Sequence, residues 1–284
     1  MNDNTLLYSF ARRTSGMPKK RAKTIRALTL IAVFTLVLSI GCGLWYTYTN
    51  TYSAVVDMNA VDVIQLEPPK AGDTIATMHT TAGDMKYCLY PSECPQAVEN
   101  FVQLAENGYY DGTYVFRVED GIFFAGGSPN PDGSLDEDVQ NDAHEESIPR
   151  ELSPKLWPIR GALCALQTKK EGGFFRTLTG KQTVYNGSRF LVANSIEMTE
   201  EVTKELTEAS EKNPVASLFL KEGGIPNYAQ QITVFGQLYD GFEILDAITH
   251  AELTDDSDAK RPKEDIRIES VEIGVYTEET EKTE

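Results

Sequence analysis

Hydrophobic and polar positions alternate most regularly soon after residue 73. Met85, Tyr87 and Leu89 recur at every second position, and the run 74–80 before them has the composition of a strand. Gly83 and Asp84 lie between the two runs and supply turn residues. A period of two places alternate side chains on opposite faces of a strand, so the pattern predicts two strands joined by a tight turn.

A helical period replaces this alternation after Pro95, since proline is well tolerated at the first position of a helix. Gly108 provides the expected end. The apolar positions between them recur at spacings of three and four, which predicts an amphipathic helix. They are Ala97, Val98, Phe101, Val102, Leu104 and Ala105.

The remaining pattern predicts several further short strands, at 114–125, 161–166, 188–193, 232–236 and 266–275, and a helix from Phe242 to about Ala251. Residues 128–147 form an acidic loop that is interrupted by glycine, proline and asparagine. The stretch 197–212 is highly charged and favours a helix, and a short apolar run follows at 215–220. Many short strands with few helices are typical of a closed barrel with capped ends.

An uncharged apolar segment without proline extends from Ala27 to Trp45. Nineteen residues at about 1.5 Å each match the apolar core of a bilayer, about 30 Å thick. Seven basic residues and one acid, Asp3, precede it, and aromatic residues follow it. Because positive charge stays inside, we predict a single-pass transmembrane anchor at 27–49, a cytoplasmic N-terminus and an extracytoplasmic body.

A lipoprotein signal is the alternative, because Ser39-Ile40-Gly41-Cys42 resembles a processing box with Cys42 as the lipid attachment site. The usual leucine three positions before the cysteine is displaced, since Leu38 lies one place too early. We therefore favour the uncleaved anchor. Both interpretations place the body outside the membrane.

Charge and cysteine usage narrow the function classes. The formal net charge is −17, and the part of the chain after the basic N-terminus is more acidic than this total. Such a body is repelled by phosphate backbones, so we expect no nucleic acid partner. Four cysteines at irregular spacing do not form a zinc motif, although Cys88 and Cys94 flank a turn and their spacing allows a disulfide.

Several ordered motifs across residues 73–276 resemble the cyclophilin family. They are Cys94-Pro95 with the following helix, Gly108-Tyr109-Tyr110-Asp111-Gly112-Thr113, Val115-Phe116-Arg117-Val118 with Gly126-Gly127, Ile148-Pro149-Arg150-Glu151-Leu152, Arg160-Gly161-Ala162-Leu163, Gly187-Ser188-Arg189-Phe190 and Val234-Phe235-Gly236. The resemblance implies a closed eight-stranded antiparallel barrel capped by two helices. It also implies peptidyl-prolyl cis-trans isomerase activity on proline-containing polypeptides, without a cofactor or a metal.

The resemblance assigns the catalytic role to Arg117. A permanently charged, rigid guanidinium beside an apolar pocket can stabilise a twisted amide better than a planar one. The implied substrate-binding residues around it are Phe116, Ile122, Phe123, Ala125, Leu166, Gln167, Phe190, Leu191 and Ile232.

Several of these positions depart from the family pattern. Phe116 and Ile232 replace histidines, Ala125 replaces a glutamine that binds the substrate backbone, and Leu191 replaces a pocket phenylalanine. The family's tryptophan region is occupied by an insertion, and Asn227 or Tyr228 lies nearest to it in sequence. The arginine and an apolar pocket remain while part of the polar clamp is missing, so the resemblance implies an isomerase of reduced activity or, alternatively, a proline-peptide binding module or chaperone.

These observations predict a domain order. A basic cytoplasmic tail (1–26) precedes the anchor or lipoprotein signal (27–49), a linker (50–72) and a cyclophilin-like domain (73–276) with a helical insertion at about 197–222. An acidic tail (277–284) follows. The sequence leaves the natural substrate and the oligomeric state open.

Overall fold

A computed structural model describes residues 62–135, 148–170, 183–255 and 260–277. Eight strands and four α-helices occupy these ranges. The strands are β1 (Thr74–Thr80), β2 (Gly83–Leu89), β3 (Arg117–Glu119), β4 (Phe123–Gly126), β5 (Ala162–Lys170), β6 (Thr183–Ala193), β7 (Thr233–Asp240) and β8 (Ile268–Val275). The helices are α1 (Pro95–Glu106), α2 (Glu200–Ser210), α3 (Pro214–Glu222) and α4 (Phe242–Thr249).

All eight strands belong to one antiparallel sheet in the order β3-β4-β6-β5-β7-β2-β1-β8. The register shifts between Lys86 and Tyr87 and between Ala165 and Gln167, among other points. Such irregularities bend a strand and increase its twist. The sheet therefore curls, and its concave face encloses the core.

The two ends of the sheet do not join through a continuous ladder, so the strict form of the closed-barrel prediction is wrong. The contact between the ends is an isolated bridge between Tyr114 and Arg267. Around it, the Val115 amide donates to the Ile266 carbonyl at 2.9 Å, and the Ile268 amide donates to the Thr113 carbonyl at 2.8 Å. On the β3 side, the Val118 amide instead donates to the Lys260 carbonyl at 2.8 Å.

The core lies between α1 and the concave face of the sheet. Four of the apolar positions on the predicted helix are buried: Ala97, Val98, Phe101 and Ala105. The Phe101 ring packs on an aromatic cluster, 5.1 Å from Tyr110, 6.2 Å from Phe190 and 5.3 Å from Phe235 between ring centroids. The sequence pattern had predicted this helix and its buried face.

The segment predicted as a helical insertion contains two helices. Thr199 caps α2 by accepting from the Val202 amide, and Asn213 caps α3 by accepting from the Val215 amide. The apolar run at 215–220 belongs to α3 and buries Val215, Ala216 and Phe219. Helix α2 has no fully buried residue.

The described part of the predicted linker, 62–72, packs on the domain. Gln65 is buried, and its amide donates to the Trp157 carbonyl at 2.9 Å and to Gln237 Oε1 at 2.8 Å. Its own oxygen accepts from the Trp157 amide at 2.5 Å. Ile64 packs against the core beside it. These residues are therefore held by the sheet rather than extending as a tether.

Cys88 and Cys94 are both free thiols and are not joined by a disulfide. Cys94 donates to the Val234 carbonyl at 3.3 Å, and burial raises the pKa of its thiol to about 12. Burial, with a smaller contribution from Asp73, raises the pKa of Cys88 to about 11. Both are protonated, unreactive thiols at neutral pH.

Within the described part of the chain, no helix combines the length and apolar character needed to cross a bilayer. The predicted anchor at 27–49 and the alternative attachment site Cys42 lie outside the described residues.

Candidate active site

A cleft of about 600 Å³ opens beside β3, β4 and the ends of β5 and β6. Its walls are mostly apolar. Of the ten predicted site residues, nine line it: Phe116, Arg117, Ile122, Phe123, Ala125, Leu166, Gln167, Leu191 and Ile232. The structure thus brings together residues that are spread over more than a hundred positions of sequence.

Phe190 is the exception, because its ring points into the core and does not line the cleft. Its side chain is 1% exposed and lies 5.8 Å from the Tyr110 ring between centroids. Successive residues of a strand face opposite sides, so Leu191 is the residue of β6 that reaches the cleft. Phe190 therefore does not line the cleft, and its role in substrate binding stays a prediction.

Arg117 occupies the first position of β3, and its position follows from a tight turn. Strands β3 and β4 pair with Arg117 opposite Ala125 and Glu119 opposite Phe123. Gly121, in the connection, has a φ of +67°, which a residue with a side chain adopts only with strain. The turn fixes which residues of the two strands face each other and the cleft.

The Arg117 guanidinium is held by Glu119, two residues further along the same strand face. Arg117 Nε donates to Glu119 Oε1 at 3.1 Å, and Nη2 donates to the same oxygen. Lys260 Nζ forms an ion pair with the other carboxylate oxygen. The result is a cluster of three charges, which we call the cation–carboxylate cluster (Arg117, Glu119 and Lys260), at the edge of the cleft.

The carboxylate of this cluster stays ionised. Partial burial of Glu119 alone would raise its pKa, but hydrogen bonds and charge from Lys260 and Arg117 outweigh burial and hold the pKa below the ordinary value of 4.5. The Glu119 side chain is 16% exposed, against 41% for Arg117. The guanidinium therefore sits between a fixed anion and open, apolar-walled space.

A second polar group also lines the cleft. The Gln167 amide donates to the Gln231 carbonyl at 3.0 Å, and Arg150 Nη1 donates to the same carbonyl at 3.1 Å. Gln167 is thus the polar side chain of the predicted set, apart from Arg117, that faces the cleft. Its amide nitrogen is already engaged by the protein's own backbone.

One wall of the cleft comes from residues that flank the insertion, namely Ile196 before it and Ile225, Asn227 and Tyr228 after it. Tyr228 is 37% exposed, and its ring lies 6.5 Å from the Phe123 ring between centroids. Both residues nearest to the missing tryptophan region therefore reach the site. Sequence analysis did not identify Glu119, Ile196, Ile225 or Gln231; for Glu119, the Arg-x-Glu spacing on a strand was an available signal.

Comparison with known proteins agrees with this architecture. The family model described as "Cyclophilin type peptidyl-prolyl cis-trans isomerase/CLD" matches residues 75–273. The chain belongs to the cyclophilin family. A Staphylococcus aureus (strain COL) protein named "Putative peptidyl-prolyl cis-trans isomerase" is 32% identical over 202 residues, 71% of this chain and 92% of the relative.

A Staphylococcus saprophyticus protein of the same name is 33% identical over 196 residues, 69% of this chain and 89% of the relative. A solved Cryptosporidium parvum cyclophilin type peptidyl-prolyl cis-trans isomerase superposes with a TM-score of 0.50 at 22% identity, covering 72% of this chain and 99% of that one. That structure supports the fold. The domain is thus a cyclophilin-type isomerase domain.

Behind the cyclophilin cleft, a hydrogen-bonded network fixes the wall that carries Ile122. The backbone amide of Asn194 donates to the Ile122 carbonyl at 2.7 Å. The Asn194 side chain accepts from Arg160 Nε at 3.0 Å and donates to Asp246 at 3.0 Å. Arg160 Nη2 also donates to both Asp246 oxygens, at 2.9 and 2.8 Å. The network supports the cleft without lining it.

The arrangement suits amide rotation, which needs neither a nucleophile nor a metal. Rotation about an X-Pro bond breaks amide resonance, and a site that binds the twisted amide more tightly than the planar one lowers the barrier. A cation held beside an apolar cavity can supply that preference, because it acts on the amide away from bulk water. Within the ranges that the structure describes, no three His, Cys, Asp or Glu side chains are grouped as metal ligands.

Proposed function

We propose that this cyclophilin domain catalyses cis-trans isomerisation of X-Pro bonds in extracytoplasmic polypeptides and so assists their folding. The observation that carries the proposal is Arg117, whose guanidinium opens onto a cleft with apolar walls. In the proposal, the proline ring occupies the cleft among Phe123, Leu191 and Ile232. Arg117 then donates to the amide that loses conjugation.

The remaining donors of Arg117 support this role. A guanidinium has five N–H groups, and Glu119 Oε1 accepts from Nε and from Nη2. In the described part of the chain, Nη1 has no hydrogen-bond partner. Its two donors are available to a substrate amide without breaking the cluster.

We further propose that turnover is slower than in cyclophilins with a full polar clamp. Ala125 has no polar side-chain atom opposite Arg117. The Gln167 amide must leave the Gln231 carbonyl before it can bind a substrate backbone. Each missing hydrogen bond costs about 0.5–1.5 kcal/mol, so two of them slow the reaction by a factor on the order of 10 to 100.

Location outside the cell is part of the proposal and is supported by the charge and apolar pattern of residues 1–49. The natural substrates would then be exported or envelope-associated proteins. Protease treatment of intact cells that express the full chain tests this location. Digestion of the domain is expected, and its survival until the cells are lysed would contradict the proposal.

The activity test uses the full-length chain, kept soluble in a mild detergent, and a chromogenic tetrapeptide with one Ala-Pro bond. We expect measurable catalysis that Arg117→Ala lowers about 100-fold in kcat/KM, as for loss of one preorganised donor. Arg267→Ala is the matched control, because this arginine stacks on Tyr114 and does not line the cleft. It should retain the wild-type rate.

A proline-peptide binding module is the second candidate, favoured by the absence of a polar side chain at Ala125. It predicts that the wild type does not exceed the uncatalysed rate, while the tetrapeptide still shifts the resonances of residues that line the cleft. That pair of results would reject the enzyme and retain the cleft as a binding site. Absence of both would reject the site.

A further inference from the structure

We propose that Glu119 is a positioning residue for the isomerase reaction, holding the Arg117 guanidinium with its Nη1 side directed into the cleft. The inference rests on the proposed function of Arg117. It adds a residue for which neither the family motifs quoted above nor the comparisons assign a role.

The first step is that the neighbouring strand offers Arg117 no partner. The residue directly opposite Arg117 is Ala125, which is 2% exposed and ends in a methyl group. A long side chain without a partner would sample several rotamers, and ordering it costs free energy. Glu119 supplies the partner from the same strand instead, because residues two apart point to the same face.

The second step is the way in which the guanidinium is held. Glu119 Oε1 accepts from Nε and Nη2, on one edge of the planar group. An arginine fork bound along one edge has its opposite edge, Nη1, in a fixed direction. That edge is the one without a partner among the described residues. The contact therefore restricts orientation while leaving donors for substrate.

The third step is that the carboxylate is itself fixed. Its second oxygen pairs with Lys260 Nζ, and the Lys260 carbonyl accepts from the Val118 amide at 2.8 Å. Lys260 is thus attached to β3 through its backbone and to Glu119 through its side chain. Arg117 and Lys260 are the charged groups that contact Glu119 among the described residues, so the cluster has one net positive charge, and Arg117 is the cation that lines the cleft.

The consequence is a specific kinetic signature. Removing the carboxylate should slow the chemical step through Arg117 but leave the apolar pocket that binds proline intact. We expect Glu119→Ala to lower kcat about 10-fold, the effect of losing one charge-assisted contact, with KM within about twofold. Glu119→Gln keeps an acceptor without the charge and should give an intermediate rate.

A double-mutant cycle tests whether Glu119 acts through Arg117. The full-length wild type, Glu119→Ala, Arg117→Ala and the double variant are assayed with the Ala-Pro tetrapeptide. If Glu119 only positions Arg117, the double variant matches Arg117→Ala within about twofold, because the contact is already lost. The control is Glu252→Ala, which removes an exposed ion pair with Lys263 and should keep the wild-type rate.

Two outcomes would overturn the inference. Equal slowing by Glu119→Ala with and without Arg117 would show a general structural effect, and an unchanged rate in Glu119→Ala would show that orientation does not limit turnover. Failure of the proposed function looks different, because Arg117→Ala itself would then keep the wild-type rate.

A second measurement does not depend on activity. In the wild type, the Arg117 Nε–H should exchange with solvent about tenfold more slowly than that of exposed arginines, because the bond is charge-assisted. Glu119→Ala should abolish this protection while Glu252→Ala preserves it. Fast exchange in the wild type would overturn the inference even if both arginine variants were too slow to assay.

Discussion

Arg117 and Arg160 are chemically alike and similarly exposed, at 41% and 35% of the side chain, and each pairs with a carboxylate. The Arg160 guanidinium donates through Nε to Asn194 and through Nη2 to Asp246, and it lies 5.1 Å from the centre of the Phe242 ring. Arg117 is bound along one edge and faces a cleft. Neither exposure nor the hydrogen-bonded edge separates the two residues; the difference is that Arg117 lines the cleft and Arg160 does not.

The contrast shows how a domain uses the same ion pair for support and for chemistry. Away from the cleft, Arg160 connects elements, here helix α4 with the chain that follows β6. Where one edge is left toward an apolar space, the arginine can act on a ligand. Substitution of Arg160 should therefore lower stability more than activity, and substitution of Arg117 should lower activity more than stability.

The largest stability effect is expected for Arg160→Ala. It removes three charge-assisted hydrogen bonds and the contact with Phe242, so unfolding should become easier by about 3 kcal/mol. Its kcat/KM should stay within about threefold of the wild type, since Arg160 does not line the cleft. Urea unfolding of the full-length chain with the tetrapeptide assay measures both.

Arg117→Ala is the matched partner of that experiment. It should lower the free energy of unfolding by about 1 kcal/mol or less, because half-exposed ion pairs contribute little. A stability loss as large as that of Arg160→Ala would end the distinction between the two arginines.

Gln65 extends the comparison between support and chemistry to an uncharged side chain. Gln65 is 5% exposed, and each polar atom of its amide is bonded within the domain. Gln65→Ala leaves the buried Trp157 amide without its acceptor, so we expect a loss of about 2 kcal/mol in unfolding free energy and no change in kcat/KM. Leu66→Ala, at the exposed next position, should change stability by less than about 0.5 kcal/mol. Equal effects for both would show that residues 62–72 are not held by Gln65.

The smallest effects should appear in the pH dependence. Burial would raise the pKa of Asp246, but hydrogen bonds from Arg160 and Asn194, and nearby positive charge, hold it below the ordinary value of 3.8; Glu119 is likewise held below 4.5. A carboxyl group whose pKa is depressed in the folded state stabilises the fold at pH above its ordinary pKa. That stabilisation is lost as the pH falls through the folded-state pKa. Stability should therefore decline below about pH 4.5.

Variants separate the two carboxyl groups. Asp246→Asn should flatten the acid decline in stability and leave the acid decline in kcat/KM unchanged. Glu119→Gln should flatten both, since Glu119 acts on the reacting cation. If the acid decline in kcat/KM disappears in Asp246→Asn and persists in Glu119→Gln, the assignment of support to Asp246 and of chemistry to Glu119 is wrong.

Local patterns predicted most of the elements. The period-two run of β2 and the stripe of α1 follow from side-chain geometry that does not depend on the rest of the molecule. The family motifs identified nine residues of the cleft. Phe190 does not line the cleft, because a motif gives the order of residues but not which of two neighbours on a strand faces it; that depends on the register against β4 and β5.

Other features depend on contacts between distant positions. Gln65 is buried because Trp157 and Gln237, 92 and 172 residues away, complete its hydrogen bonds. A polar stretch with prolines predicts a linker in the absence of that information. The approach of Lys260 to Glu119, 141 residues apart, was equally hidden. The incomplete closure of the sheet also depends on pairing between distant residues that no local period specifies.

The incomplete closure has a consequence for self-association. An open sheet has two border strands, and exposed amide and carbonyl groups along such strands recruit other chains. Here the border next to β3 is short, and the Val118 amide is already occupied by the Lys260 carbonyl. At the other border, the chain at the start of β8 is hydrogen-bonded to residues 113–115: the Ile268 amide donates to the Thr113 carbonyl, and the Val115 amide donates to the Ile266 carbonyl. Glu119, Lys260 and Arg267 lie along this seam, and because charged side chains at a sheet edge disfavour pairing with another chain, we expect the seam to disfavour aggregation without a continuous ladder.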